Sequence, residues 1–283
     1  MYELIYEYFS KNSLFHPSLR GYRRDRSTMT ALLYLYEKWV KAASEGQASG
    51  VVLVDLSSAF DLVSPELLIQ KMKIYAFEQD LINWISSYLS DRFQTVWIDH
   101  IFSRFLKNSL GVPQGSNLGP LFFLIFFNDL PTYIKEYIDC YADDSTMCAT
   151  AETVEEIGEK LSNDCNMLSD WMEMNNFKLN AGKTHLLTMG TAKRLNNLDD
   201  QLSVVMDGVT LQENQDRCEL LLGVYIQSDL KWSKQTSELT GKLKKRLAGL
   251  KRLRFIMDFS TRKNIVEGVF NSVLCYCLPL FGG

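Results

Sequence analysis

The sequence is poor in the residues that build disulfide scaffolds and zinc sites. Its six cysteines form no Cys-X-X-Cys pair, and its three histidines, His16, His100 and His185, lie far apart. Most of the cysteines stand in apolar stretches, so we interpret them as small buried hydrophobes in a reducing compartment. This pattern argues against a disulfide-stabilised secreted domain and against a zinc module.

The sequence also lacks a recognisable signal peptide and a membrane-spanning run. The longest apolar run, 118–127, is shorter than the roughly 20 residues that a bilayer requires. We interpret this run as a buried helix. The N-terminus is amphipathic and acidic, unlike a signal peptide. We therefore expect an intracellular protein, in the cytoplasm and nucleus, without a membrane or secretion segment.

The net charge of −4 conceals an uneven distribution of charge along the 283 residues. Residues 241–254 carry seven basic and no acidic side chains, whereas 152–173 carry seven acidic side chains and one basic. The chain is long enough to bury a substantial core, with 46% hydrophobic residues. These features suit a folded protein that contacts a polyanion on one side only.

Hydrophobic periodicity predicts strands and helices in a mixed order. Predicted helices are 28–43, a helix starting at Pro65 with Ser64 as its cap, 79–89, 118–130, a helix capped by Thr153 and Glu156, and most of the last fifty residues. Predicted strands are 51–56, 137–141, 145–149, 186–189, 203–206 and 221–226, with β character over 93–110. Asp207-Gly208 predicts a hairpin turn.

Two of the predicted strands end in aspartates. Asp55 ends the apolar run that starts at residue 51, and Asp143-Asp144 lie in the turn after 137–141. Each has an ordinary interpretation, since a carboxylate can cap a loop and aspartates are common in turns. Two adjacent buried strands, however, would bring Asp55 close to Asp143. Such a cluster of like charges favours hard cations such as Mg²⁺, which can promote phosphoryl transfer.

Three motifs resemble those of the reverse transcriptases of non-LTR retrotransposons, the jockey-like LINE-type elements. They are Asp55-Leu56-Ser57-Ser58-Ala59-Phe60-Asp61, Gly111-Val112-Pro113-Gln114-Gly115-Ser116-Asn117-Leu118-Gly119-Pro120 and Tyr141-Ala142-Asp143-Asp144. A single four-residue string recurs by chance, but three motifs in the family's order and spacing are specific. The resemblance implies an RNA-directed DNA polymerase that adds deoxynucleotides to a primer 3′-OH.

Further matches extend the resemblance to nearly the whole chain. Residues 21–28 resemble a fingers motif, 180–184 the fourth palm motif, and 222–224 the primer-grip hairpin. The implied fold is α+β, a right-hand polymerase with an antiparallel palm sheet backed by helices. We expect partial fingers at 1–50, a palm at 51–228 with a fingers-like insertion at about 66–110, and a truncated thumb-like helical segment at 229–283.

The resemblance assigns the catalytic centre to a few residues. Asp55, Asp143 and Asp144 would hold two Mg²⁺ ions, for which Mn²⁺ can substitute, and the backbone carbonyl of Leu56 would help. Lys183 would protonate the departing pyrophosphate as a general acid. A solvated lysine in a turn is the competing interpretation of Lys183.

The incoming dNTP is assigned by resemblance to a second group. Phe60 would collide with a ribose 2′-hydroxyl and so select deoxynucleotides, although plain core packing explains it equally well. Gln114 would pack against the nucleotide, and Gly115 would let the backbone approach it closely. Arg23 would bind the triphosphate, because a guanidinium matches phosphate geometry. A solvated surface arginine is the alternative.

The basic stretch near the C-terminus alternates with leucines and predicts an amphipathic helix. Such a charged face is usually only solvated, but the resemblance implies that it follows the phosphates of a duplex of RNA template and DNA primer. The element RNA would form a ribonucleoprotein with the protein. The assigned residues are Lys242, Lys244, Lys245, Arg246, Lys251, Arg252 and Arg254, together with Gly223 of the primer grip.

The sequence departs from the family pattern in three places. Asp25 stands where the family has a small residue, beside the expected triphosphate site. Upstream fingers motifs and an endonuclease domain are absent from these 283 residues, and the N-terminal helix starts without a cap. We therefore expect a part of a larger protein. Two alternatives stay open: an inactive remnant that only binds nucleic acid, and an RNA-copying RNA polymerase with the same palm.

Overall fold

The fold is of the α+β class, with helices and antiparallel strands mixed along the chain. The computed structural model describes residues 1–56, 58–179, 181–198, 201–253 and 255–282. The helices are α1 (Tyr2–Lys11), α2 (Thr28–Ser44), α3 (Ala59–Leu62), α4 (Pro65–Ile74), α5 (Gln79–Leu89), α6 (Leu118–Phe127), α7 (Val154–Met174), α8 (Ala192–Asn196), α9 (Ser233–Leu253), α10 (Phe259–Ile265), α11 (Ser272–Leu274) and α12 (Leu278–Phe281).

The strands fall into one larger sheet and several hairpins. They are β1 (Ala48–Asp55), β2 (Arg92–Gln94), β3 (Trp97–Ile98), β4 (Ile101–Phe102), β5 (Leu106–Asn108), β6 (Tyr137–Tyr141), β7 (Asp144–Ala151), β8 (His185–Met189), β9 (Val204–Met206), β10 (Val209–Leu211), β11 (Cys218–Leu221) and β12 (Val224–Gln227). The larger sheet has four antiparallel strands in the order β6-β7-β1-β8. The strands β9 and β10, and β11 and β12, form separate two-stranded units.

Both faces of the central sheet are buried. Val52 and Val54 of β1 belong to a large hydrophobic core that includes most of α6 and the inner side of α7. Val51, on the opposite face, belongs to a second core that includes residues of α2, β11, β12 and α12. Because side chains alternate across a strand, a nearly continuous apolar sequence suits a strand buried on both faces.

Local signals fix the starts of several helices. The Ser27 hydroxyl accepts from the Thr30 backbone N–H and forms a capping box at α2. Ser64 accepts from the Leu67 N–H, with Pro65 at the first helical position of α4. At α7, the Thr153 side chain accepts from the Glu156 N–H. These polar groups satisfy backbone donors that have no partner within the helix.

Three sequence predictions differ from the structure. The stretch 221–226 is not one strand, because Leu222 and Gly223 form the turn between β11 and β12, both with positive φ. The helix from Leu118 ends at Phe127, and a short 3₁₀ helix containing Pro131 follows it. The amphipathic pattern of α9 predicts that its leucines face inward, but Leu247 and Leu253 are 42% and 49% exposed.

The hairpin from Arg92 to Asn108 shows the predicted β character but contributes little to the core. Its large apolar residues, including Trp97 and Phe102, are about 50–70% exposed. Trp97 and Phe102 stack on each other across the hairpin, with ring centroids 5.9 Å apart. No helix among the described residues is both long and apolar enough to cross a bilayer.

The close approach of α7 to the segment before β9 predicts a stability difference between two glycines. A Cβ at Gly158 would lie 2.5 Å from the backbone oxygen of Ser203, whereas a Cβ at Gly241 of α9 would meet nothing within 4 Å. We expect Gly158→Ala to lower the free energy of unfolding by about 1–3 kcal/mol through overpacking.

The matched control, Gly241→Ala, should raise the free energy of unfolding by about 0.5–1 kcal/mol, because alanine is the better helix former. Urea unfolding followed by circular dichroism would measure both. Equal effects of the two substitutions would contradict the packing described for Gly158.

Candidate active site

Three carboxylates lie close together where β1 and β7 reach the turn between β6 and β7. Asp55 is the direct partner of Asp144 in the register of β1 and β7. The backbone N–H of Leu56 donates to the carbonyl of Asp143 at 3.3 Å, which extends the pairing by one step. Directly opposed residues in antiparallel strands have Cα atoms about 4.5–5.5 Å apart. The structure therefore brings the predicted acidic residues together.

The turn that carries Asp143 is tight and closely supported. Tyr141 pairs with Asp144, so only Ala142 and Asp143 form the loop, and Ala142 has φ of 56°. A Cβ on Gly21 would collide with the backbone nitrogen of Ala142. Glycine at position 21 therefore allows the N-terminal segment to lie directly against the turn.

The same N-terminal segment is hydrogen-bonded to β6, immediately before the turn. The Arg20 N–H donates to the Cys140 carbonyl, and the Cys140 N–H donates to the Ser18 carbonyl, both at 2.8 Å. Leu19 forms a parallel bridge with Cys140. This segment thus acts as a short extra strand at the edge of the sheet.

A buried ion pair joins these two elements and was missed from the sequence. The Arg20 guanidinium contacts the Asp139 carboxylate, and both side chains are almost fully buried. The Tyr137 hydroxyl donates to the same carboxylate at 2.8 Å, and Arg20 lies 4.3 Å from the centre of the Tyr34 ring on α2. Asp139 within the apolar strand 137–141 was the available signal, because a buried carboxylate needs a partner.

The carboxylate cluster is electrostatically unfavourable without a cation. The pKa of Asp144 is raised, first by partial desolvation of its carboxyl and then by the negative charges of Asp143 and Asp55. The ammonium of Lys183 lies 3.8 Å from Asp55 Oδ2, and both side chains are about half exposed. A single surface lysine at that distance offsets only part of the charge, since exposed ion pairs contribute little.

The donor set at this end of the sheet fits a hard divalent cation. Asp55, Asp143 and Asp144 supply carboxylate oxygens, which Mg²⁺ and Mn²⁺ prefer over nitrogen or sulfur. The raised pKa of Asp144 reflects partial burial first and repulsion from Asp143 and Asp55 second, and a cation would relieve the repulsion. Within the described residues, no three His, Cys, Asp or Glu side chains are already arranged as a metal site. The side chains would therefore have to reorient around an ion.

The glycine-containing turn 111–115 is fastened to the chain that follows β1. The Gly111 N–H donates to the Val63 carbonyl at 2.7 Å, and the Val112 N–H donates to the Phe60 carbonyl at 3.0 Å. The Gln114 side chain donates to Asp61 Oδ1 at 2.6 Å. The structure thus brings the first and second motifs side by side. Asp61 was not predicted as a site residue, although it belongs to the first motif.

Two glycines in this turn adopt conformations that other residues rarely take. Gly111 and Gly115 both have φ of +77°. A Cβ on Gly111 would lie 2.8 Å from the Cα of Asp61, whereas a Cβ on Gly115 would meet nothing within 4 Å. Gly111 is therefore required for close contact between the motifs, and Gly115 for the backbone bend alone.

Phe60 packs between the core and Tyr22. Its half-buried ring stacks on Phe123 of α6 with centroids 4.3 Å apart, and meets Tyr22 edge-on at 5.7 Å. Burial raises the pKa of Tyr22, and the charge of Asp143 raises it further. Tyr22 thus connects Phe60 to the carboxylate cluster. Sequence reasoning placed Tyr22 in a fingers motif but gave it no role.

Arg23 is directed toward its own loop in this structure. Its Nη1 donates to the carbonyls of His16 and Leu19 at 3.0 and 3.2 Å, and the guanidinium lies over the Phe15 ring. The side chain is half-buried. To bind a triphosphate, Arg23 would have to leave these partners.

A cavity of about 530 Å³ opens beside the carboxylates. Asp55, Asp144 and Lys183 line one side, and Glu219 and Leu220–Leu222 of the β11–β12 hairpin line the other. Glu219 is buried, and one of its oxygens lies 3.3 Å from His185 Nδ1. The hairpin predicted as the primer grip therefore faces the end of the sheet that carries Asp55 and Asp144.

The basic helix α9 presents most of its predicted cations to solvent. Arg246 is the exception, since it is half-buried and its guanidinium donates to the carbonyl of Val269. Gly223 is exposed in its turn. Arg254, which was also predicted to bind nucleic acid, lies outside the described residues. The exposed members are Lys242, Lys244, Lys245, Lys251 and Arg252.

Several relatives are named as RNA-directed DNA polymerases from mobile elements or transposons. The chain is 23% identical to the RNA-directed DNA polymerase from mobile element jockey of Drosophila melanogaster, over 93% of this chain and 29% of that protein. It is 30% identical to the probable RNA-directed DNA polymerase from transposon BS of the same species, over 58% of this chain and 19% of the relative. The chain thus spans less than a third of these relatives' length.

Solved structures agree on the fold. An apo telomerase from Candida tropicalis, truncated from its C-terminal domain, superposes with a TM-score of 0.55 at 12% identity, covering 81% of this chain and 43% of the telomerase. At that identity the likeness concerns the fold alone. It confirms the predicted α+β, palm-type architecture.

A family model matches most of the chain. The family model described as reverse transcriptase (RNA-dependent DNA polymerase) matches residues 2–232, a range that includes all three motifs and the carboxylate cluster. Together with the jockey-like relatives, this match confirms the resemblance to non-LTR retrotransposon enzymes. The chain belongs to the reverse transcriptase family.

Proposed function

We propose that the chain is the polymerase domain of a non-LTR retrotransposon reverse transcriptase, which copies an RNA template into DNA. The observation that carries the proposal is the meeting of Asp55, Asp143 and Asp144 at one end of a buried sheet. The 111–115 turn is hydrogen-bonded to the segment that follows Asp55. The curated relatives, named as RNA-directed DNA polymerases, support this chemistry.

Asp55, Asp143 and Asp144 would hold two Mg²⁺ or Mn²⁺ ions, with the Leu56 carbonyl as a further ligand. Such ions, when bound, activate the primer 3′-hydroxyl and stabilise the charge that develops on the phosphate oxygens. The protein contributes a rigid edge of the sheet, which fixes the backbone positions of the three aspartates before substrate arrives, and their side chains would reorient around the ions. Rigid placement matters because misplacement by about 1 Å can cost roughly a hundredfold in rate.

Other residues would orient the dNTP and manage protons. Lys183, 3.8 Å from Asp55, is near enough to the cluster to protonate the departing pyrophosphate. Gln114, held by its hydrogen bond to Asp61, would pack against the nucleotide. Gly115 would leave room for the backbone to approach the nucleotide closely. Phe60 would exclude a 2′-hydroxyl. Arg23 would bind the triphosphate after leaving the carbonyls of His16 and Leu19.

The template–primer duplex would lie across the sheet toward α9. The exposed lysines of α9 would neutralise phosphates in a contact that weakens with salt. We propose the division into fingers at 1–50, palm at 51–228 and thumb at 229–283, although β1 begins within the first of these ranges and α2 packs on the sheet. RNA template, DNA primer and dNTPs are the proposed partners, and element RNA in a ribonucleoprotein, in the cytoplasm and nucleus, is the proposed setting.

Removal of one metal-binding carboxylate should abolish incorporation. We expect Asp143→Asn to lower dTTP incorporation on a poly(A)/oligo(dT) template with Mg²⁺ or Mn²⁺ by about a hundredfold or more, because metal-ion stabilisation of the transition state contributes several kcal/mol. Asp170→Asn, an exposed carboxylate on α7, is the matched control.

Duplex binding by the wild type with no incorporation would support the inactive remnant instead. Incorporation that survives in Asp143→Asn would contradict the assigned role of the carboxylate.

Shortening Phe60 should relax the choice of sugar. We expect Phe60→Ala to accept ribonucleotides with a roughly tenfold or larger gain in the rNTP/dNTP ratio of kcat/KM, because the ring no longer blocks the 2′-hydroxyl. The ring also packs on Phe123, so the melting temperature of the variant must be measured alongside.

An unchanged ratio in a folded variant would leave Phe60 as a core residue only. Equal use of both sugars by the wild type would favour the RNA-copying polymerase.

The repulsion at Asp144 predicts a pH-dependent penalty on stability. Because its pKa is raised above the ordinary value of 3.8, the folded protein favours the neutral carboxyl. The neutral form's contribution is complete below that ordinary value and is lost as pH rises through the raised pKa. With EDTA present, we expect Asp144→Asn to be more stable than wild type at neutral pH, with a difference that shrinks toward pH 4.

Mg²⁺ should reverse the order, since a ligand that binds only the folded state stabilises it and the variant binds the ion less well. Thermal melts across pH, with and without Mg²⁺, test this, and Asp170→Asn again sets the baseline. A wild type that is the more stable protein in EDTA at pH 7 would rule out the repulsion.

A further inference from the structure

The turn between β11 and β12 is held from outside its own hairpin. Leu222 and Gly223, the turn residues, have φ of +46° and +79°. A leucine with positive φ is strained by about 1–3 kcal/mol and persists only where neighbouring contacts hold it. The contacts come from Tyr276, near the C-terminus of the chain.

Tyr276 contacts both residues of the turn. Its hydroxyl donates to the carbonyl of Leu222 at 2.7 Å. A Cβ on Gly223 would lie 3.4 Å from the Tyr276 ring, so the ring covers one side of the glycine. The turn therefore receives a hydrogen bond and a packing surface from one side chain.

The same hydroxyl also reaches the start of α2. Thr28 Oγ1 lies 3.0 Å from the Tyr276 oxygen. A phenol carries one proton, and the Leu222 carbonyl can only accept, so Tyr276 donates to Leu222 and the Thr28 hydroxyl donates to Tyr276. Burial raises the pKa of Tyr276, and the phenol therefore keeps its proton at neutral pH.

The residues that follow Tyr276 anchor its segment in the second hydrophobic core. Cys277 and Leu280, which follow it, are buried with Leu221 and Val224 of the hairpin and with residues of α2. Phe281 meets Trp232 at 6.0 Å between ring centroids. Tyr276 thus joins the C-terminal helices to the β11–β12 turn and to α2, the helix that follows the fingers-like motif.

The position of this turn matters because the turn borders the catalytic cavity. Leu222 lines the cavity together with Asp55 and Asp144. The position of the Leu222–Gly223 backbone would set the distance between the carboxylates and a primer end that rests on the turn. A shift of about 1 Å there would move the attacking hydroxyl out of alignment.

We propose that Tyr276 is a positioning residue for the primer terminus, which fixes the Leu222–Gly223 turn through its hydrogen bond to the Leu222 carbonyl and its ring contact with Gly223. This inference rests on the proposed polymerase function. Tyr276 touches neither metal nor nucleotide in this role. Its loss should weaken the use of primer–template and leave dNTP binding unchanged.

The test is Tyr276→Phe, which keeps the ring and removes the hydroxyl. We expect KM for primer–template to rise about three- to tenfold, the factor given by losing one ordinary hydrogen bond, with KM for dTTP unchanged. Thr28→Val leaves the bond to Leu222 in place and should have a smaller effect. Tyr133→Phe is the matched control, since Tyr133 and Tyr276 are 41% and 39% exposed.

Hydrogen exchange of the turn provides a readout independent of activity. Peptides spanning 218–227 should exchange faster in Tyr276→Phe than in wild type and Tyr133→Phe, at an unchanged melting temperature. Unchanged exchange would overturn the inference. So would an active wild type with the same primer–template KM in Tyr276→Phe, or parallel rises in both KM values with a lower melting temperature.

The two proposals fail in different ways. A wild type that incorporates no nucleotide would refute the proposed function, and the hydrogen-exchange comparison would then still decide whether Tyr276 holds the turn.

Discussion

The register between β1 and β7 is the constraint on which the candidate site depends. It sets Asp55 opposite Asp144 and allows the Leu56 N–H to reach the carbonyl of Asp143. A slip by one residue would turn Asp55 to the other face of the sheet, away from Asp144. The register is strongly specified because both faces of β1 are buried in hydrophobic cores. The two cores that stabilise the fold thereby also fix the position of the carboxylates.

The elements around the carboxylates are joined by interactions that reach far along the sequence. Arg20 and Asp139 form a buried ion pair across 119 residues, and Gly21 lies directly against the turn that carries Asp143. Removal of one partner of a buried pair is costly, because the other charge is left uncompensated. The N-terminal segment therefore supports the end of the sheet that carries the three carboxylates. On the other side of the cavity, Tyr276 contacts the β11–β12 turn from a distant part of the sequence.

Stability and function make opposite demands at this end of the sheet. Three carboxylates lie together although partial burial and their mutual repulsion raise the pKa of Asp144, and Leu222 adopts a strained backbone conformation. Unfavourable charge and backbone strain of this kind persist where the surrounding structure over-determines them, and such places are often functional.

The aromatic hairpin from Arg92 to Asn108 contributes little to the core. It is anchored at its base, where Arg92 donates to the carbonyls of Leu110 and Gly111.

The sequence alone determined most of the elements and which acidic residues come together at the end of the sheet. Buried strands, capped helices and the apolar helix from Leu118 follow from local periodicity and from side chains such as Ser27 and Ser64. Tertiary structure decided the rest, because those contacts join residues that no local pattern relates. The turn at Leu222 and Gly223 breaks an apolar stretch that resembles one strand, and the hydroxyl that holds it comes from 54 residues away. Likewise, the loop carbonyls that bind Arg23, and the incomplete burial of the α9 leucines, depend on which neighbours the folded chain provides.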